Sequence, residues 1–461
     1  MKITIAILII GLFFPALVAA QEAQEELYIN ATAAILIERT TGRIIYERNA
    51  NRLIYPASMI KVLTAIIALD HIRLDDIIIV GDEINYVPFG SSVVGHVEGE
   101  HISGHNLIRA LLIPSGNDTS NVTAAHVSYL VTGSRLPFEE AEAVFIGLMN
   151  ERARGLGATR SNFTNAHGFH DENMQTTVSD LAIIANYAMD NPTIRNVAAE
   201  LAYTGYTVSA PEEGMQTREV TWNSTNRMLV GQFFHPDIIG LKTGFTTPAG
   251  RCFIGVAQRD GIELISVIAG SEDPYRWHST ADLVNHGFDN YFMHTIQQGG
   301  SIIDDINIYN PRWGDADLAR AYVQDTFIHF LNHSEVDSLE RRIVYNEDLT
   351  VLDEYGEIMA FVAPLYAGTI IGSVIHTING TEIFRDDIII TEDILAWSFG
   401  YSFLFVITFL RENPLSIFGL SFLLGLIFLG IIIFKITSFV VKILNRRKRG
   451  TSFHRPRYKY K

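Results

Sequence analysis

Three short groups of residues in this 461-residue chain combine side chains that can carry out acyl transfer. They are Ser58-Met59-Ile60-Lys61, Ser115-Gly116-Asn117 and Lys242-Thr243-Gly244, which follow the patterns S-x-x-K, S-x-N and K-T-G. The first two patterns occur by chance in most long chains, but all three in this order indicate one common site. The predicted chemistry is attack by a serine on a carbonyl carbon, with a lysine as the base.

Ser58 and Lys61 begin an apolar segment that is predicted to be a helix. A spacing of three residues places both side chains on one face, so the amine can reach the hydroxyl. Lysine accepts the serine proton only if its pKa is lowered, by burial or by a neighbouring cation such as Lys242. Taken alone, the pair is better explained as a capping serine and a surface lysine. The functional interpretation therefore depends on the other two motifs.

The second motif supplies groups that can move a proton and position the base. Ser115 and Asn117 are expected in a loop between two helices, where catalytic side chains commonly lie. Ser115 can pass a proton between Lys61 and a leaving amine. The Asn117 amide can hold both Lys61 and the backbone of a substrate.

The third motif is predicted to lie on a strand that binds an extended peptide by main-chain pairing. Lys242 and Thr243 would bind the terminal carboxylate of that peptide through charge-assisted hydrogen bonds. Gly244 leaves space for close backbone approach. The backbone amides of Ser58 and Phe245 are the expected oxyanion hole.

The elements that position these residues are predicted to form a mixed α/β (α+β) domain over residues 26–292. Strand-like apolar runs separated by turn signals predict one β-hairpin at 33–45 and another at 251–269. Strands at both ends of a helical middle predict one antiparallel sheet flanked by helices. The predicted helices of the middle part are 105–112, 138–156 and 178–189.

Residues 296–390 differ from the preceding part because short strand-like runs alternate with turn signals such as Asn379-Gly380. This composition predicts a small β-rich domain, with one helix near 317–332. No cluster of catalytic residue types occurs in it.

The N-terminal residues 1–20 are typical of a secretory signal peptide: Lys2 precedes an apolar core, and small residues precede Gln21. An uncleaved anchor is the alternative, and both imply export. The single cysteine, Cys252, excludes an internal disulfide and is expected to be a small buried residue.

The C-terminal part predicts membrane attachment. Residues 415–434 carry no charge and are long enough for a transmembrane helix. The following residues 435–461 contain ten basic residues and no acidic one, which predicts a cytoplasmic tail and an exported body. The uncharged, aromatic segment 394–410 is expected to lie in the membrane interface rather than to span it.

Charge argues against nucleic acid as a partner. The net charge of the chain is −16, and removing the ten basic residues of the tail leaves −26 for residues 1–434. A body this acidic repels polyanions. The sequence also predicts no cofactor and no metal, because the pairs His101/His105 and His167/His170 supply only two ligands each.

Around the three motifs the chain resembles the low-molecular-mass penicillin-binding proteins, the D-alanyl-D-alanine carboxypeptidases. The resemblance covers residues 26–292 and includes the stretches YPASMIKVLTA, LLIPSGNDTSN, MNERARGLGATRSNFTNAHGF, NSTNRML and GLKTGFTTPAGRCFIGVAQRDG. It implies a serine β-lactamase/DD-peptidase-like fold, in which His167-Gly168 shapes the groove. It also implies that the β-rich segment is a second domain and that the C-terminal segment is a membrane tether.

The resemblance implies the same roles for the motif residues that their chemistry suggests. Ser58 is then acylated, Lys61 is the base, Ser115 and Asn117 relay and position, and Lys242 acts with Thr243 on the carboxylate. The implied activity is removal of the terminal D-alanine from peptidoglycan stem pentapeptides, within cell-wall synthesis and the control of cell shape. β-Lactams would acylate the same serine.

Three alternatives remain at the level of sequence. A DD-endopeptidase that cleaves peptide cross-links would use the same residues. A class A β-lactamase would need an E-x-x-L-N signature between the second and third motifs, and residues 117–242 contain none. A non-enzymatic wall-binding protein would not need an intact Ser58, Lys61 and Lys242.

Overall fold

The computed structural model describes residues 27–209, 216–312, 315–412, 424–438 and 440, which fall into two compact units. The first unit contains the residues up to His294 together with His329–His333, and the second contains Thr295–Ile328 and those from Ser334 onward. The predicted signal peptide, residues 415–423 of the predicted membrane span and most of the basic tail lie outside the described residues.

The helices and strands that carry the three motifs, and those that pack around them, all lie before Tyr291. In chain order the elements are β1 (Ala33–Glu38), β2 (Ile44–Arg48), α1 (Lys61–His71), β3 (Ile77–Ile79), β4 (Glu100–Ser103), α2 (Gly104–Leu112), α3 (Asn117–Thr132), α4 (Phe138–Leu156), α5 (Val178–Ala188), α6 (Pro192–Ala198), β5 (Ala202–Ser209), β6 (Gln216–Asn223), β7 (Ile238–Thr246), β8 (Gly250–Arg259), β9 (Ile262–Ser271) and α7 (Tyr275–Asn290).

The central element of the first unit is a five-stranded sheet with the order β2-β1-β9-β8-β7. Its neighbouring strands all pair in the antiparallel sense. The two predicted hairpins are confirmed as β1–β2 and β8–β9. Strand β7, which carries the K-T-G motif, forms one edge of the sheet.

Both faces of this sheet are covered, as the burial of β1 shows. All six residues of β1 are buried, although their side chains alternate between the two faces. Ile35 and Ile37 pack into the large core that contains helices α1 to α5, whereas Leu36 packs into a separate cluster with Leu283 of α7. The sheet is therefore the middle layer of three, which fixes β7 relative to the helices that carry the other two motifs.

A smaller four-stranded sheet has the order β3-β4-β5-β6 and was not predicted from the sequence. Strands β5 and β6 form a long antiparallel hairpin, and β4 pairs with β5. Val220 and Trp222 of β6 point inward while their neighbours are exposed, which is the period-two pattern of a half-buried strand.

The second part of the chain is rich in strands, as predicted. Its elements are β10 (Tyr291–Gln297), β11 (Ile302–Tyr309), β12 (Leu318–Val323), β13 (Phe327–Asn332), α8 (His333–Asp337), β14 (Leu339–Tyr345), β15 (Thr350–Leu352), β16 (Ile358–Val362), β17 (Ile370–Ile378), β18 (Thr381–Ile390) and α9 (Phe399–Glu412). Seven of them form a sheet with the order β14-β17-β18-β12-β11-β16-β15, and β10 pairs with β13.

The helix predicted near 317–332 is wrong, because β12 and β13 occupy that segment. Ala321 and Val323 are buried two residues apart in β12, which is the spacing of a half-buried strand. The local composition does not distinguish a strand from a helix here. Residues 318–323 form a strand because they pair with β11 and β18.

Two helical segments occur in the predicted membrane-attachment region. Helix α9 begins inside the segment 394–410 and ends at Glu412, and residues 424–438 are also helical. Within the part of the chain that the structure describes, no helix has both the length and the apolar character needed to cross a membrane.

Candidate active site

Ser58 lies in a single 3₁₀ turn, Ala57–Ile60, that leads directly into α1. Ala57 is 2% exposed and has a φ of +48°, a left-handed conformation that non-glycine residues seldom adopt. Such strained positions persist only where the surrounding packing holds them, and they cluster at functional sites. The sequence placed Ser58 at the start of a helix; the structure places it one turn before the α-helix, whose first residue is Lys61.

The Lys61 amine lies at the centre of the site. Its Nζ atom is 2.9 Å from Ser58 Oγ, 2.6 Å from Asn117 Oδ1 and 2.6 Å from the carbonyl oxygen of His167. Ser58 Oγ also lies 3.3 Å from that carbonyl oxygen. The first and second motifs therefore meet at one nitrogen atom.

This arrangement suits a neutral lysine that accepts a proton from serine. A backbone carbonyl oxygen and a side-chain amide oxygen can only accept hydrogen bonds. His167 and Asn117 therefore accept one hydrogen bond each from the two N–H groups of a neutral Lys61 amine. The remaining lone pair then faces Ser58 Oγ. An amine held in this way can remove the hydroxyl proton as the serine attacks.

The electrostatic surroundings favour this neutral form. Lys61 is completely buried, and burial together with the charge of Lys242 holds its pKa well below the ordinary value, although Asp118 acts in the opposite direction. Loss of solvent disfavours the charged amine, and a nearby cation does the same. The sequence predicted both causes.

Ser115 and Asn117 lie at the junction between α2 and α3. Ser115 has a φ of +67° and is 5% exposed, and Asn117 is the first residue of α3. A Cβ atom at Gly116 would lie 2.5 Å from Thr119 Oγ1, so a larger residue between the two site residues would force neighbouring side chains to move. The Ser115 hydroxyl has no hydrogen-bond partner among the residues that the structure describes, which leaves it available to a substrate.

The K-T-G motif brings the edge of the sheet against the serine. A Cβ atom at Gly244 would lie 3.2 Å from the backbone nitrogen of Ser58, so β7 passes very close to the nucleophile. Lys242 Nζ donates to the carbonyl oxygen of Thr243 over 3.0 Å, and the hydroxyls of Thr243 and Thr225 are 2.6 Å apart. Phe245 follows at the point where β7 becomes exposed.

Positive charge is concentrated beside this motif. Lys242 is 1% exposed, and burial together with the neighbouring Arg276 lowers its pKa to about 7. Arg276 of α7 is itself buried, and its Nη1 lies 3.5 Å from the carbonyl oxygen of Gly244. Between residues 3 and 434 the chain uses lysine only at positions 61 and 242. Within the described part of the chain, neither Lys242 nor Arg276 forms a salt bridge with a carboxylate. This buried positive charge is therefore suited to bind an anionic group of a ligand.

His167 and Gly168 contribute through the backbone. The His167 carbonyl contacts both Lys61 and Ser58, and burial is the main cause that lowers the pKa of the His167 ring to about 3. Gly168 has a φ of +82°, and a Cβ atom there would lie 2.1 Å from the carbonyl oxygen of Ala57. The sequence indicated that this pair shapes the groove, but it gave no sign of the carbonyl contact.

Arg276 and Thr225 were not predicted as site residues. Arg276 lies on the helix that follows the last strand of the sheet, far from all three motifs in sequence. Thr225 lies within the stretch NSTNRML, which carries part of the family resemblance but predicts no contact with the site.

The fold is that of solved penicillin-binding proteins. The structure matches penicillin binding protein 5 from Haemophilus influenzae with a TM-score of 0.59 at 22% identity, over 80% of this chain and 98% of that one. It also matches the Streptomyces K15 DD-transpeptidase with a TM-score of 0.53 at 28% identity, over 57% of this chain and 98% of that one. Fold and site together are those of the serine DD-peptidases.

The sequence profile of peptidase family S11, D-alanyl-D-alanine carboxypeptidase, matches residues 19–273. The chain therefore belongs to the D-alanyl-D-alanine carboxypeptidase family, and it is a serine hydrolase of that type. Among curated relatives, Escherichia coli DacC is 26% identical over 83% of this chain and 89% of its own length. Bacillus subtilis DacF is 24% identical over 90% of this chain and 98% of its own.

Proposed function

We propose that this enzyme cleaves the bond between the two terminal D-alanine residues of peptidoglycan stem pentapeptides through an acyl-enzyme on Ser58. The observation that carries the proposal is the position of Lys61, whose amine faces the serine oxygen while two carbonyl-type oxygens occupy its N–H groups. Serine is a weak nucleophile until such a base takes its proton.

In the acylation step Ser58 Oγ attacks the carbonyl carbon of the penultimate D-alanine, and its proton moves to Lys61 Nζ. The tetrahedral oxyanion is bound by the backbone amides of Ser58 and Phe245. The close passage of β7 beside the Ser58 nitrogen supports this pairing of donors. One donor of this kind contributes about 3 kcal/mol to the transition state in other enzymes.

The C–N bond then breaks and the leaving amine takes a proton from Lys61 through the Ser115 hydroxyl. Free D-alanine departs, and the acyl group remains as an ester on Ser58. A water molecule attacks this ester with the same base, which releases the tetrapeptide and restores the serine. Among the described residues the Ser115 hydroxyl has no hydrogen-bond partner, which supports its role as the relay.

Lys242 and Thr243 bind the terminal carboxylate of the substrate. A carboxylate placed beside Lys242 and near Arg276 compensates the positive charge of this buried cluster, and its arrival raises the pKa of Lys242 above the value of about 7 in the free enzyme. The requirement for a free carboxylate one residue beyond the scissile bond favours a carboxypeptidase. β-Lactams, which carry a comparable carboxylate, acylate the same serine and leave slowly.

A DD-endopeptidase is the alternative, because it uses the same nucleophile and base on a cross-linked substrate. Two substrates distinguish the activities: a stem pentapeptide, from which D-alanine is released, and a cross-linked peptide dimer. We expect the full-length protein to release D-alanine at least about tenfold faster than it cleaves the dimer. Faster cleavage of the dimer would favour the endopeptidase.

We also propose that residues 415–434 anchor the protein in the cytoplasmic membrane, with the catalytic unit on the outer side. The uncharged 20-residue segment, the ten basic residues after it and the apolar N-terminus support this orientation. Exposed aromatic side chains of α9, such as Phe399 and Phe403, suit a position at the membrane surface.

Membrane fractionation tests the anchor. The full-length chain is expected in the membrane fraction after a carbonate wash, and a chain that ends at Glu412 is expected to be released in part or completely. Protease added outside intact protoplasts should degrade the catalytic unit and spare the C-terminal tail. A full-length chain that stays in the soluble fraction contradicts the proposal.

A further inference from the structure

A buried polar network lies behind the Ser115-Gly116-Asn117 motif and has no part in the chemistry proposed above. The side chains of His96 and Glu100 are completely buried. His96 Nδ1 is 2.8 Å from Glu100 Oε2, and His96 Nε2 is 3.0 Å from Thr119 Oγ1. A buried carboxylate is strongly destabilising unless hydrogen bonds and an opposite charge compensate it, so the groups around Glu100 must provide that compensation.

The four-stranded sheet provides that compensation. Glu100 of β4 accepts hydrogen bonds from Thr207 of β5 and from Arg218 of β6, the latter over 2.5 Å. Arg218 also donates to the carbonyl oxygen of Gly95 over 2.8 Å. Burial opposes ionisation of Glu100, but the hydrogen bonds from His96, Thr207 and Arg218 outweigh it and lower the pKa of Glu100 to about 2. The Glu100 carboxylate is therefore ionised at neutral pH, and its hydrogen-bond partners hold it in one position.

The network holds residues 92–97, which we call the bracing loop, against the start of α3. The backbone nitrogen of Asn117 donates to the carbonyl oxygen of Ser92 over 2.7 Å. The carboxylate of Asp118 accepts hydrogen bonds from three successive amides of the bracing loop, those of residues 94, 95 and 96. Thr119 completes the contact through His96. Three consecutive residues, the first of which is Asn117, are thus fixed by one loop.

We propose that His96, Glu100 and Arg218 are positioning residues for acylation, which hold the bracing loop so that Asn117 orients the Lys61 amine. The proposal rests on the roles given to Lys61 and Asn117 above. Asn117 Oδ1 accepts a hydrogen bond from one N–H group of Lys61. If Asn117 is displaced, the amine can rotate, and its lone pair then no longer points at Ser58 Oγ. Misplacement of a reacting group by about 1 Å can reduce a rate about a hundredfold.

The experiment measures the second-order rate of acylation of the full-length protein by a fluorescent penicillin. Glu100→Gln keeps the shape of the side chain but can no longer accept from all its donors. We expect it to reduce the acylation rate about ten- to a hundredfold. Glu263→Gln is the matched control, because Glu263 is also a shielded carboxylate bound by two arginines, Arg39 and Arg195, and lies outside the site. It should lower thermal stability and leave the acylation rate within twofold of wild type.

A double-mutant cycle separates positioning from general loosening of the fold. If Glu100 acts through Asn117, then Glu100→Gln adds little to the loss caused by Asn117→Ala, but its effect multiplies with that of Lys242→Ala. Thr207→Val, which removes one donor to Glu100 and keeps the side-chain shape, repeats the cycle in a milder form if Glu100→Gln does not fold.

The proposal is overturned if Glu100→Gln and Thr207→Val acylate at the wild-type rate, or if their effects multiply independently with that of Asn117→Ala. Failure of the proposed function has a different signature, because then the wild-type protein itself is not acylated.

Discussion

Lys61 Nζ lies 2.9 Å from Ser58 Oγ, and its other close partners are two oxygen atoms that cannot donate a proton. The distance makes the amine the immediate acceptor of the serine proton. Replacing Lys61 by arginine keeps a long basic side chain but removes the base, because a guanidinium stays charged at ordinary pH and cannot accept the serine proton. We expect Lys61→Arg to reduce acylation by a fluorescent penicillin about 10²- to 10⁴-fold. Retention of more than a tenth of the wild-type rate would exclude Lys61 as the base.

The pH dependence of D-alanine release follows from the two buried lysines. Lys61 acts only when neutral, so its lowered pKa moves the acidic limb of kcat/KM to lower pH. Lys242 binds the carboxylate only when charged, so its pKa of about 7 in the free enzyme makes kcat/KM fall as the pH rises above that value. Arg276 is a cause of that low pKa.

Arg276→Gln is therefore expected to move the alkaline limb to higher pH, whatever its effect on the absolute rate. The measurement is the kcat/KM of D-alanine release from pH 5.5 to 10 for both proteins. An alkaline limb at the same pH in the variant shows that Lys242 does not control it.

The buried amine of Lys242 is expected to lower the free energy of unfolding, although the same amine serves to bind the substrate. Its folded-state pKa of about 7 is below the ordinary 10.5, so the unfolded chain binds more protons between these values. The free energy of unfolding therefore rises with pH from about 7 to about 10.5, and below pH 7 the full cost of the buried charge is present. Lys242→Met should raise the free energy of unfolding by about 1–4 kcal/mol at pH 6 and by less at pH 9.

Denaturant unfolding at both pH values provides this measurement. Arg154→Met, at an exposed position in α4, is the control and should leave the pH dependence unchanged. A Lys242→Met protein that is less stable than wild type at pH 6 contradicts the low pKa of Lys242.

Gly168 is predicted to hold the nucleophile turn in place. Gly168→Ala puts a Cβ atom at a φ of +82° and 2.1 Å from the Ala57 carbonyl oxygen, so the turn that carries Ser58 must move. We expect a loss of about 1–3 kcal/mol in stability and slower acylation. Gly147→Ala is the matched control, because Gly147 lies within α4 with open space around its Cβ position. It should stabilise the protein by about 0.5–1 kcal/mol; equal losses in both variants would contradict the close contact.

The sequence predicted the parts of the site that depend on side-chain type. Ser58, Lys61, Asn117 and Lys242 belong to fixed patterns, and the structure brings the first three into direct contact. The contact of the His167 carbonyl could not be predicted, because every residue has a carbonyl group and only the fold selects one.

Long-range packing explains the remaining differences. Arg276 reaches the site from α7. The bracing loop is held by Arg218 of β6, which lies more than a hundred residues further along the chain. The segment 317–332 forms strands because neighbouring strands pair with it, and its own composition does not reveal this. The β8–β9 hairpin was predictable because a clear turn signal, Arg259-Asp260-Gly261, separates two apolar runs that pair directly with each other.

Mass spectrometry of the penicillin adduct tests the central claim most directly. The full-length protein and its Ser58→Ala variant are incubated with benzylpenicillin, and the intact mass and a peptide map of each are recorded. We predict one covalent adduct per wild-type chain, on the peptide that contains Ser58, and none on Ser58→Ala. An adduct on another residue, an adduct that persists in Ser58→Ala, or no adduct on the wild type would contradict an acyl-enzyme on Ser58.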